Sequence, residues 1–99
     1  MRQIPLSLDP NQSLGVVLGG QNCKIRLAQR STGLYLDLFV NDAPVVQSVL
    51  CRDRVKIVRG EHLGFVGELV FIDRFGRLDP DYSGLTGRFA LVYIEAHEL

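Results

Sequence analysis

The chain has no tryptophan, one methionine, two cysteines and two histidines in its 99 residues. Each shortage removes a class of function. Two cysteines cannot build a disulfide scaffold. Cys23 and Cys51 both lie in apolar runs, where a free thiol behaves as a small core hydrophobe. Two reduced cysteines are therefore expected, with a single bridge as the alternative. Zinc sites draw their ligands in closely spaced pairs, but Cys23, Cys51, His62 and His97 are scattered. Charge of one sign is missing as well, since eleven basic residues meet eleven acidic ones. No global field exists to recruit nucleic acid or an anionic membrane. The same neutrality gives little protection against self-association. No run approaches the roughly 18 uncharged apolar residues of a membrane helix. Met1-Arg2-Gln3-Ile4-Pro5 lacks the apolar core of a signal peptide. Synthesis and first folding in a cytosol, with no membrane partner, are expected.

Helical periodicity is also lacking, because glycine, proline and β-branched residues break every candidate window. What is present is alternation with period two, the mark of strands with one buried face. Ile4, Leu6 and Leu8 alternate over 2–8, and Pro5, unable to donate to a ladder, makes this an edge strand. Asp9-Pro10-Asn11-Gln12 turns the chain into a short strand over 13–18. Gly19-Gly20-Gln21-Asn22 reads as a tight hairpin connection, since glycine reaches positive φ cheaply. Cys23, Ile25 and Leu27 share a face over 23–30. Leu34, Leu36, Leu38 and Val40 share one over 34–40, with Tyr35, Asp37 and Phe39 opposite. After Asn41-Asp42-Ala43-Pro44 the chain returns over 45–51. A short strand is expected over 55–59 and others over 68–73 and 88–95. The last is apolar on both faces and so central or covered. Residues 74–87 form one long loop. With turn signals every 8–12 residues, the fold class is all-β: a small antiparallel β-sandwich or partly open β-barrel of about seven strands, in one domain over 1–99.

Catalysis needs a nucleophile or an acid–base pair with an orienting partner. His62 beside Glu61 and His97 near the C-terminus have no serine or cysteine placed near them, and both read as surface histidines. Asp79-Pro80-Asp81 has the look of a metal-binding D-x-D, yet it is also good turn chemistry, and the rest of an EF-hand pattern is absent. Gly15-Val16-Val17-Leu18-Gly19-Gly20 has neither the lysine nor the helix of a phosphate loop. No catalytic residue, metal or cofactor is expected, and the chain does not read as an enzyme.

Two features remain. Tyr35 and Phe39 lie opposite the leucine stripe and need a cover, either a second sheet or another chain, and exposed aromatics are enriched at protein contacts. Arg52, Arg54, Lys56 and Arg59 make a locally basic segment. Together with the aromatics it allows an alternative reading, a small β-barrel module binding single-stranded nucleic acid. Asp37, Asp53 and the neutral total charge weaken that alternative.

In order along the chain come Ile4-Pro5-Leu6, Pro10-Asn11-Gln12-Ser13, Leu34-Tyr35-Leu36-Asp37-Leu38 with Val45-Val46, Gly64-Phe65-Val66-Gly67-Glu68-Leu69, and Asp79-Pro80-Asp81-Tyr82-Ser83-Gly84-Leu85. Arg88 and Leu91-Val92-Tyr93 follow. This series resembles the baseplate plug proteins of contractile-tailed bacteriophages. The resemblance runs nearly the full length, although each segment alone is only a strand or turn pattern. It implies a structural, non-enzymatic role: a plug or adaptor in the virion tail baseplate, near the tube, hub and spike, in a homo-oligomeric ring. It supplies no catalytic residues. Arg74-Phe75-Gly76-Arg77-Leu78 departs from it by being more basic. On this reading the contact residues are Ile4 and Leu6 on the edge strand, Tyr35 and Phe39 on the sheet face, Arg54 and Lys56 in the basic segment, and Tyr82 in the long loop. The partners are other tail proteins.

Overall fold

A computed structural model describes residues 1–59 and 65–98. Seven strands form two antiparallel sheets: β1 (Arg2–Ile4), β2 (Asn11–Leu18), β3 (Gln21–Arg30), β4 (Gly33–Val40), β5 (Ala43–Leu50), β6 (Glu68–Asp73) and β7 (Phe89–Ile94). Strands β2-β3-β4-β5 make a four-stranded meander, and β1-β7-β6 make the second sheet. The fold is a sandwich of two open sheets, not a closed barrel.

The meander follows from local chemistry. Gly19 and Gly20 both have positive φ, as do Asn41 and Asp42. That is the signature of two-residue type I′ hairpin turns, whose twist matches the flanking strands. Alternation then sets the register. Cys23, Ile25 and Leu27 from β3 and Leu34, Leu36 and Leu38 from β4 are all buried, facing inward. They belong to one apolar core with Leu18, Ile4, Leu69, Phe71, Phe89, Leu91 and Tyr93. Burying one such side chain contributes roughly 1.5–3 kcal/mol. A one-residue slip would turn a whole set outward, so the register is strongly specified.

β7 lies between β1 and β6 and is buried on both faces, as its two apolar faces foretold. Its outer-face residues Ala90 and Val92 lie beside Ile72 and Val70 of β6. Arg74, just past β6, donates to Gln3 of β1 across this face.

The strand expected over 13–18 starts earlier, at Asn11, and the 19–22 connection tightens to Gly19-Gly20. Two further expectations change. The 2–8 strand shortens to Arg2–Ile4, at the edge of its sheet as expected. Pro5 ends the ladder because it has no N–H. The expected 55–59 strand does not form. Its amides turn instead toward one buried carboxylate, that of Glu68, which accepts from the N–H groups of Ile57, Val58 and Arg59 at 3.1, 2.7 and 2.8 Å. Arg54 and Arg59 adopt positive φ to bring this about. The segment then lies along the free edge of β6, where Arg54 N and Ile57 N donate to Phe71 O and Leu69 O. Within the 74–87 loop, Tyr82–Gly84 form one 3₁₀ turn.

Candidate interaction surface

The outward face of β3 and β4 carries Lys24, Arg26 and Arg30 against Tyr35, Asp37 and Phe39. Register makes Lys24 face Phe39, Arg26 face Asp37 and Ala28 face Tyr35. Diagonal neighbours on such a face lie within reach of long side chains. Arg26 accordingly sits 5.6 Å from the centre of the Phe39 ring, and Arg30 sits 5.3 Å from that of Tyr35. Arg26 Nε also lies 3.4 Å from Asp37 Oδ2. The Tyr35 hydroxyl meets Thr32 Oγ1 at 2.6 Å, and Asp37 Oδ1 accepts from Ser48 N at 2.6 Å. The two aromatics are half-buried. Their cover is supplied by guanidinium groups of the same sheet, each worth about 0.5–1 kcal/mol at an exposed site. The opposite sheet packs on the other face, against the leucines.

The 74–88 loop makes a second surface. Asp73 ends β6 with its side chain fully buried. Arg88 donates to both its oxygens, at 2.8 and 2.9 Å. The amides of Phe75 and Leu78 donate to it at 3.0 and 2.8 Å. The Arg88 hydrogen bonds hold the Asp73 carboxyl well below the usual carboxylate range, with the two amides adding to the effect. Pinned in this way, the loop displays Phe75 at 75% and Leu78 at 59% exposure. An open cleft of about 660 Å³ lies between its limbs, lined by Phe75, Leu78, Asp79, Ser83, Arg88 and Phe89. Tyr82 sits at the rim of the same loop, 36% exposed.

The other sequence-derived contact residues are dispersed. Ile4 is a core residue at 1% exposure, and Leu6 packs against the core from its edge. Arg54 donates to Asp53 Oδ2 and to the carbonyls of Gly76 and Asp73, so it straps the long loop to the β6 edge. Lys56 is exposed on the same segment. That basic segment belongs to the β6 edge, whereas Tyr35 and Phe39 belong to β4 in the other sheet. The nucleic-acid reading needs them on one platform.

Residues with chemical potential are engaged structurally. Asp81 caps the 3₁₀ turn, accepting from Ser83 N and Oγ at 2.8 Å. Asp79 accepts from Asp53 N at 3.1 Å. Asp-Pro-Asp is thus a loop staple, as its turn chemistry suggested. Glu95, His97 and Glu98 cluster at the surface. Both Glu98 oxygens, however, lie 2.6 Å from the N-terminal ammonium of Met1. Cys23 and Cys51 are free and buried. Burial pushes the Cys51 thiol up to about 12, which leaves it protonated near neutrality. His62, with Gly60, Glu61, Leu63 and Gly64, lies outside the described residues.

Sequence reasoning missed the exposed pair Phe75 and Leu78, noting their segment only for its arginines. The available signal was two large apolar residues in a loop rich in glycine, proline and aspartate, where no alternation could bury them.

Residues 1–96 match the family model described as cyanophage baseplate Pam3 plug gp18. The chain belongs to this baseplate plug family. Membership assigns it to the structural proteins of the phage tail baseplate, in association with other baseplate and tail proteins. No curated protein sequence matches the chain.

Proposed function

We propose that this protein is a non-enzymatic plug or adaptor at the junction of tail tube, hub and spike, present as a ring of copies and made in the host cytoplasm. The observation that carries the reading is the family match over residues 1–96. The surface chemistry supports it. Arginine and aromatic side chains paired on a rigid sheet are the composition of protein contact centres. Tyr35 and Phe39 are the anchors of that face, with Arg26 and Arg30 ready to exchange their stacking for acidic groups of a neighbouring subunit. Tyr82, Phe75 and Leu78 form a second contact at the long loop. Arg54 contributes by fixing that loop, and Lys56 by its exposed charge. Ile4 and Leu6 contribute through the position of β1, since their side chains serve the core.

The test is assembly. Tails are built with the doubly substituted Tyr35→Ala, Phe39→Ala chain and imaged by electron microscopy. A folded variant whose density at the tube end drops to about a tenth of wild type is the expected result, since loss of two anchors costs a few kcal/mol of binding. Undiminished density at that position would remove the sheet face from the interface. Wild-type density found elsewhere on the particle would overturn the junction assignment.

A further inference from the structure

The two sheets have four edges, and three are blunted. The β6 edge is closed by its own chain: Leu69 O and Phe71 O accept from Ile57 N and Arg54 N, and Asp73 N donates to Asp53 Oδ1. β1 is three residues long and ends against Pro5. β5 carries Pro44, two register shifts and Ser48 at positive φ, the bulged, twisted edge that resists pairing. β2 has none of these protections. It pairs with β3 over all eight residues without a shift. Asn11-Gln12-Ser13-Leu14-Gly15-Val16-Val17-Leu18 contains no charge and no proline. Natural sheets avoid leaving such an edge open.

Register also says which groups face outward. The tight turn at Gly19–Gly20 makes Leu18 and Gln21 a hydrogen-bonded pair, and such pairs alternate along the ladder. Gln12, Leu14, Val16 and Leu18 therefore spend their backbone groups on β3. Asn11, Ser13, Gly15 and Val17 turn theirs to the free side. Arg2 caps one of these, donating to Val17 O at 2.8 Å. Among the described residues, Asn11, Ser13 and Gly15 are left as a continuous uncapped row.

We propose that this row pairs antiparallel with the same row of a second copy, with Ser13 opposite Ser13 on a two-fold axis. Asn11 then faces Gly15 on each side, giving about six backbone hydrogen bonds and a continuous eight-stranded sheet. The occupant is a second copy because the strand is self-compatible. A charge at position 13 would meet its like across the axis, and the strand carries none. The neutral total charge sets no long-range barrier. Serine facing serine and asparagine facing glycine fit closely on the exposed face, and Leu14 meets Gln12 on the other. The proposal does not rest on the baseplate reading, and pairing at this edge leaves the β3–β4 face and the 74–88 loop open.

The test combines sedimentation over a dilution series with amide exchange on the full chain. Wild type is expected to show a reversible monomer–dimer equilibrium, with slowed exchange at the Ser13 and Gly15 amides at high concentration only. Ser13→Pro removes the two central bonds of the pair without touching the β3 ladder, and weakens pairing about tenfold or more. Ser13→Lys sets like charges face to face and acts in the same direction should proline disturb folding. Ser13→Cys is expected to give a symmetric disulfide on mild oxidation, since Cα atoms of such a pair lie about 5.5 Å apart. A wild type that stays monomeric with freely exchanging Ser13 and Gly15 amides overturns the proposal. So does a dimer that Ser13→Lys and Ser13→Pro leave intact.

Discussion

Asp73 and Glu68 stand at opposite ends of β6, and each gathers backbone that would otherwise lie loose. Asp73 holds Arg88 and the amides of Phe75 and Leu78. Its carboxyl titrates below its unfolded value, so the folded state binds its proton less tightly than the unfolded state. The stability it provides is complete above the unfolded value near pH 4 and is lost as pH falls through the folded one. Acid unfolding curves should therefore show wild type losing stability below about pH 4, and Asp73→Asn should flatten that limb while lowering stability at pH 7. Glu68 is 3% exposed and accepts from four amides, those of Ile57, Val58, Arg59 and Leu69. In Glu68→Gln, one of the two oxygens becomes a donor facing donors. Urea denaturation should register a loss of about 1–3 kcal/mol, the cost of stranding buried amides. Both roles were hard to see in the sequence. A carboxylate beside an apolar strand signals something buried, but its hydrogen-bond partners are distant in the chain and only folding names them.

At the scale of elements, alternation carried most of the information. The inward faces of β3 and β4, the hairpin at Gly19–Gly20 and the central place of β7 were all legible. A half-buried strand must repeat every two residues, and a type I′ turn needs positive φ. The strand expected at 55–59 was not. Its alternation of Val55 and Ile57 is genuine, but β6 offers it a carboxylate where a partner strand would offer a ladder. Gly67 shows how such junctions are made. It has φ of +105°, and a Cβ there would lie 2.6 Å from the Tyr93 ring and 2.7 Å from Ile94 O. The Tyr93 hydroxyl donates to Val66 O at 2.6 Å, and the Tyr93 ring meets Phe65 edge-on at 5.7 Å. Gly67→Ala should cost roughly 2–4 kcal/mol in thermal or urea unfolding, because it strains the backbone and displaces a core tyrosine together.

For the whole molecule, the face proposed to dock and the core that folds are separate. Tyr35 and Phe39 stack under arginines outside the core, so Tyr35→Ala and Phe39→Ala should each lower folding stability by only about 1 kcal/mol. Denaturant curves of the purified variants check this, and with it the meaning of any assembly defect. By itself the sequence determined the all-β class, the seven-strand count to within one element, the buried faces and, through ordered segments along the chain, the family. These depend on local periodicity, turn stereochemistry and composition, which every stretch of chain carries. Tertiary structure decided that the sheets stay open as a sandwich, that Arg54 straps a loop, that Ile4 serves the core, that arginines cover the aromatics, and which edge is left unguarded. Each depends on which distant groups meet once the sheets pack, and no spacing along the chain encodes that meeting.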